Sequence, residues 1–261
     1  MDQNMNQINF AKLHAKRKEA DAKYTSGDIK NAMKPMNEAI ELAKLLPEPI
    51  ASGETIQLLV NLSQSYLQLE DTPNAIKYVN NACVQGEHLV NIAPNAPSLG
   101  GPTAFNTKED AIKDSILKAK DLLVFALTNK VQLLLTILQQ TADSNGNGNG
   151  NGNGQQQQQQ PPLLKIKLTN NERNDMIADL DVSSKRSRTI SSEIWDAQDV
   201  QHFKIFRILS LVQEMKGNIQ EAENFMLKGY QLVCNNKEQK NLEAQQYLCD
   251  EMIRLSMKQN N

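Results

Sequence analysis

Apolar side chains recur at helical spacing over most of the chain, with polar residues filling the intervals. From Phe10 to Leu46 the pattern predicts two helices hinged at Gly27; from Thr55 to Val90 it predicts two more, broken near Glu70–Asp71. Pro94 to Pro102 reads as a loop. Thr107, with Asp110 three residues on, starts in the manner of a capping box. Behind it Ile112, Ile116, Ala119, Leu123, Ala126 and Leu127 keep a helical period, so a long helix is expected to about Gln140. Regular patterning returns near Glu193 and runs to Met257, closing on a stripe of Leu242, Leu248 or Tyr247, Met252 and Leu255 that reads as an end cap or, alternatively, as a groove-filling or dimerising helix. Leu163 to Leu168 is long enough for one strand but has no mate. The pattern predicts an all-α chain.

The periodicity is interrupted once. Asn145 to Gly154 alternates Asn and Gly, Gln155 to Gln160 follows, and Pro161-Pro162 ends the tract. Such a segment has nothing apolar to bury and is expected to be disordered, a tether without further role. Leu163 to Ser192 mixes Ser, Asn and charges and reads as mostly loop, with one short helix around Asp175 to Leu180. Three regions follow: residues 1–142 as helical hairpins plus the long helix, 143–192 as disordered linker and polar loop, and 193–261 as a hairpin with a capping helix.

Three stretches are similar to one another. Ala20, Tyr24, Gly27, Ala32, Met36 and Ala39 form the first set; Leu59, Leu62, Ser63, Tyr66, Ala75, Val79 and Ala82 the second; Phe206, Leu209, Ser210, Gly217, Ala222, Met226 and Gly229 the third. A small residue in a first helix (Ala20, Ser63, Ser210) lets a second helix approach. Small residues in the second helix accept the larger side chains that face them. A Gly-Asp or Glu-Asp break turns the chain between the two, and Asp71 can cap the next helix with Pro73 in its first turn. The expected architecture is antiparallel hairpins whose rods nest closely.

These residues resemble the tetratricopeptide repeat, the second and third sets most closely. Lys16, Glu19 and the intrahelical Pro35 depart from the family's pattern in the first. Ala32 to Ala75 spans 43 residues, longer than the family's standard repeat, and Ala75 to Ala222 spans 147. The long helix and the helix near Ile194 can fill that interval as one divergent pair, giving a short solenoid with the low-complexity tract inserted in a loop. Taken without the family, the same residues describe generic helical hairpins. Ala20, Asp21, Tyr24, Gly27, Asp28, Ala32, Ala39 and Ile40 also resemble the first hairpin of the MIT domain, a module of membrane-remodelling proteins.

The repeat resemblance implies a non-catalytic adaptor or scaffold that takes a protein partner on a concave face formed by first helices. Candidate residues there are Arg17, Asp21, Tyr24, Asn61, Gln64, Lys204 and Arg207. The family's carboxylate clamp is incomplete, because Asp21 and Ile208 stand where an amide and a base are wanted. The plain alternative for these polar positions is a solvated face. The MIT resemblance implies instead a membrane-trafficking accessory module, and a third reading is a subunit of a larger complex.

Composition narrows the function classes. Aromatics are 5% and the formal charge is −2, which argues against a general nucleic-acid binder. Cys83, Cys234 and Cys249 include no CxxC pair and read as small buried hydrophobes in a reducing compartment. His14, His88 and His202 are isolated, and no phosphate-binding glycine loop or nucleophile motif occurs. The expectation is no enzyme, cofactor, metal or small-molecule substrate. Met1 to Phe10 lacks an apolar signal core. Leu122 to Leu138 approaches the length of a short membrane span, but Lys130 and Gln132 at its middle favour a buried helix. The expected location is cytoplasmic. The sharpest local signal is Ser183 to Ser192, where Arg186 and Arg188 precede Thr189 and Ser191 as in basophilic kinase substrates. Lys185 to Arg188 in the same stretch resembles a minimal nuclear import signal, so a nuclear location is the alternative.

Overall fold

A computed structural model describes residues 3–95, 107–143, 168–196, 199, 201–235 and 242–259. Among the described residues there are helices and no strands: α1 (Gln3–Thr25), α2 (Ile29–Ala43), α3 (Ile50–Gln68), α4 (Thr72–Ile92), α5 (Lys108–Asp143), α6 (Asn170–Ile194), α7 (His202–Met215), α8 (Ile219–Asn235) and α9 (Leu242–Gln259). A 3-10 turn, Ala93–Asn95, follows α4. The Asn-Gly and Gln tract and most of the expected Pro94–Pro102 loop lie outside the described residues.

The first hairpins turn in one way. Gly27 N–H donates to Tyr24 C=O and Asp28 N–H to Lys23 C=O; Glu70 and Asp71 repeat this on Leu67 and Tyr66, and Gly217 and Asn218 on Glu214 and Gln213. Each is a helix end closed by a left-handed residue, with φ of 82° at Gly27, 80° at Gly217 and 60° at Glu70. Five residues beyond each, Ala32, Ala75 and Ala222 donate to the carbonyls of Asp28, Asp71 and Asn218 and start the returning helix. The Asp71 carboxylate also accepts from Asn74 N–H at 3.2 Å.

The small side chains sit where paired helices cross. Ala20, Ala32, Ala39, Ala75, Ala82 and Ala222 are buried, as are Ser63, Ser210 and Gly229, and Ala75 and Ala222 are 0% exposed. Ser63 Oγ donates to Ala75 C=O and Ser210 Oγ to Ala222 C=O, each at 2.8 Å. Two hairpins separated by 147 residues thus share one interhelical bond. Tyr66 is half-buried and stacks on Tyr78 at 5.1 Å. Pro35 is buried inside α2.

The segment expected to be polar loop is a helix. α6 opens on a capping box in which Glu172 N–H donates to Thr169 Oγ1 and Thr169 N–H to the Glu172 carboxylate. It runs antiparallel to α5, tied by Lys130–Asp179 at 2.7 Å, a Thr128–Ser187 hydroxyl contact at 3.3 Å and Lys120–Glu193 at 2.7 Å. Leu180, Ser183, Ser184, Ser187, Ile190 and Ser191 form its buried face. Serine here does what alanine does in the other hairpins, filling a close crossing with little volume. Counted as polar, those serines hid a helical period; counted as small, they display it.

α5 and α6 therefore complete a hairpin between α3–α4 and α7–α8. α6 and α5 both pack on α7, so helices on either side of the tract are in contact. α5 is long and apolar enough to cross a membrane by length and composition. In this fold Leu123, Val131, Leu134, Ile137 and Leu138 are covered by protein, and Lys130 holds Asp179.

Candidate functional site

Odd-numbered helices line one face of the stack. Arg17 on α1 reaches Glu54 and Gln57 on α3, and Gln68 of α3 donates to the Tyr24 hydroxyl. Gln64 donates to Asn129 of α5 at 3.0 Å. Arg207 Nε of α7 donates to the Tyr247 hydroxyl of α9 at 3.0 Å and stacks over that ring at 4.7 Å. Even-numbered helices contact one another on the opposite face: Arg186 of α6 holds Glu87 of α4 at 3.3 Å, and Arg188 lies 5.3 Å from the Phe225 ring of α8.

On the odd-helix face α5 and α7 diverge and leave a groove of about 570 Å³. Its walls carry Phe125, Asn129 and Gln132 from α5 and Phe203, Lys204, Arg207, Ile208 and Leu211 from α7. A second hollow of about 490 Å³ shares Gln139, Arg207 and Leu211 with it and extends to Arg173, Glu214, Tyr247, Glu251, Arg254 and Lys258. Phe125 is 40% exposed, an aromatic ring left open on a helix whose other large apolar residues are mostly covered.

The charges of this surface are unequal. Lys204, Arg207, Arg173, Arg254 and Lys258 face three carboxylates, Asp121, Glu214 and Glu251. Glu214 is bound by Arg254, at 2.5 and 2.6 Å, and by Lys258 at 2.7 Å. The hydrogen bonds from Arg254, joined by that from Lys258, hold its carboxyl below the ordinary glutamate range against the opposing effect of burial. Glu251 adds a bond to Arg254 at 2.8 Å. Among the described residues no carboxylate lies within ion-pair distance of Arg173, Lys204 or Arg207. The result is a cleft of mixed apolar and polar lining with cations on its rim, in a chain of net charge −2.

Of the residues singled out in the sequence, Lys204 and Arg207 line this groove and Gln64 reaches its wall through Asn129. Arg17 and Tyr24 are instead engaged in joining α1 to α3. Asp21 is exposed on α1, and Asn61 is half-buried with its carbonyl accepting from Ser65. Phe125, Asn129, Gln132 and Arg173 were missed. The signal for three of them was the row 125, 129, 132, 136 and 139 on the long helix, the face opposite the apolar period.

The kinase-like motif is placed differently from the expectation. Ser191 is 0% exposed and donates to Arg188 C=O, and the arginines before it are engaged with Glu87 and with Phe206 and Phe225. A kinase reads an accessible, unfolded segment, which α6 does not offer at Ser191. Thr189 is exposed and bonded to Lys185 C=O.

Among the described residues no group of three His, Cys, Asp or Glu side chains is placed to hold a metal ion. His202 is buried against Trp195 at 5.4 Å, and His14 stands edge-on to Phe10 at 4.5 Å. Burial pushes the Cys83 thiol up to about 12. Cys234, expected inside, is exposed near the end of α8. No family model matches the chain, and no curated protein matches it.

Proposed function

We propose that this chain is a non-catalytic adaptor that holds a segment of a partner protein in the groove between α5, α7 and α9. The observation that carries the reading is the pairing pattern. Glu214 and Glu251 are already neutralised by Arg254 and Lys258, while among the described residues Lys204, Arg207 and Arg173 stand without a carboxylate around the open Phe125–Leu211 floor. A cleft of this kind favours a partner that brings an acidic side chain to the rim and a large apolar one to the floor. α5 serves as the core rod of the stack on this reading, since the fold covers it on several sides.

Supporting the reading further, the groove offers side-chain amides and guanidinium groups, good for recognition, with no nucleophile–base pair among its lining residues. The test is photo-crosslinking in cell extract, with a photoreactive residue at Asn129 in the groove or at Lys77 on the exposed side of α4. The expected result is a discrete adduct at position 129 that is lost in Lys204→Glu/Arg207→Glu. Equal labelling at both positions, or an adduct indifferent to those charges, overturns the proposal.

A further inference from the structure

α9 lies along α8 in an antiparallel register that two contacts fix. Ser256 Oγ donates to the Glu223 carboxylate at 3.0 Å, and Leu248 and Leu255 are buried in one cluster with Met226 and Val233. Seven residues, close to two helical turns, lead from Ser256 back to Cys249 on α9 and from Glu223 forward to Tyr230 on α8. Both steps stay on the contact face, so Cys249 comes opposite Tyr230. Cys234 stands one turn beyond Tyr230 on the same side of α8. The Tyr230 hydroxyl accordingly meets both sulfurs, that of Cys234 and that of Cys249, and the two thiols push its pKa up to about 12. Two cysteines from different helices are thus brought to one hydroxyl.

The pair differs from the remaining cysteine. Cys83 is half-buried against core side chains, and burial pushes its thiol up to about 12. Cys234 is exposed at the end of α8, and Cys249 is half-buried. A disulfide needs one accessible sulfur, a second within reach, and backbone that yields a little. The last turn of a helix opens at small cost. Rotation of Cys234 past the Tyr230 hydroxyl then closes the gap to Cys249.

We infer that Cys234 and Cys249 form a reversible thiol–disulfide clasp between α8 and α9, closed by a low-molecular-weight disulfide such as oxidised glutathione. The exposed Cys234 sulfur attacks that disulfide, and one glutathione leaves as a thiol with the Cys234 proton. The Cys249 sulfur then attacks the Cys234 sulfur of the mixed disulfide, and the second glutathione leaves with the Cys249 proton. One disulfide is reduced and one is formed. Excess reduced glutathione runs the same steps backwards. The bond closes a loop with fourteen residues between the cysteines, and it fixes the helix that carries Tyr247, Arg254 and Lys258 to α7. It stands or falls separately from the adaptor reading.

The test is incubation of the full chain in glutathione buffers of graded redox ratio, followed by non-reducing peptide mass spectrometry and amide exchange. The expected product is a monomer with Cys234 joined to Cys249 and Cys83 still a thiol. Closing a loop of this length should slow exchange in α9 roughly tenfold or more, and reduced glutathione should restore the original rate. Cys249→Ser, with helical circular dichroism unchanged, should stop at glutathione on Cys234 and show no slowing. A parent chain that stops at the mixed disulfide, a bond between two chains, a bond to Cys83, or a closed bond that leaves α9 exchange unchanged or faster would each overturn the inference.

Discussion

Glu70 is the residue where the chain departs from its own rule. At the matching position the other two turns use glycine, which enters the left-handed region freely; Glu70 adopts φ 60° with a side chain attached. Glu70→Gly removes that strain at the cost of extra freedom in the unfolded chain. The expected net effect is a gain of about 0.5–1 kcal/mol in urea unfolding. Ala20 makes a related point: it occupies the place of Ser63 and Ser210 without a hydroxyl, so the small volume is common to the three crossings and the bond to the facing carbonyl is an addition. The hairpin residues were legible in the sequence because small side chains and left-handed turns are local requirements. The groove residues were legible only in part. Lys204 and Arg207 lie on a short amphipathic helix, whereas Phe125 reads as one more apolar residue until its neighbours are known.

Among the elements, α4 and α5 lie close together where Gly86 faces Leu123. A Cβ at position 86 would meet Leu123 Cδ1 at 2.9 Å and its Cα at 3.2 Å. Gly→Ala within a helix ordinarily stabilises, but here the contact is partly with backbone and reverses the sign. Gly86→Ala should cost about 1–2 kcal/mol, seen as a lower urea midpoint with an unchanged slope. α6 shows why an element escaped the sequence: its apolar residues are few, and the serines that fill its contact with α5 have the composition of a loop. The attachment of α9 depends on charge as well as burial. Because Arg254 and Lys258 hold the Glu214 carboxyl below its ordinary value of 4.5, the stabilisation is complete above that pH and is lost as pH falls through the lower folded value. Amide exchange in α9, taken relative to the intrinsic rate at each pH, should accelerate selectively on acidification below about pH 4.5. In Glu214→Gln it should be fast at neutral pH as well, and the acid dependence should largely vanish.

Across the whole molecule, odd-numbered helices line one face of the stack and even-numbered helices meet on the other. Fold class followed from periodicity, since helical spacing persists on both sides of the Asn-Gly tract. That helices of the two sides are in contact did not, because it depends on α6 and on contacts between residues far apart, such as Lys120 with Glu193. Among the described residues, the groove carries both open apolar surface and cations with no carboxylate at ion-pair distance. Its ligand chemistry can be read directly by selecting random peptides on the full-length chain and measuring the binding of the winners. Selected peptides should combine acidic residues with a large apolar one, weaken as salt is raised, and lose at least about tenfold in affinity on Lys204→Glu/Arg207→Glu. Peptides that lack acidic residues, or that bind that variant as well as the parent, would contradict the account.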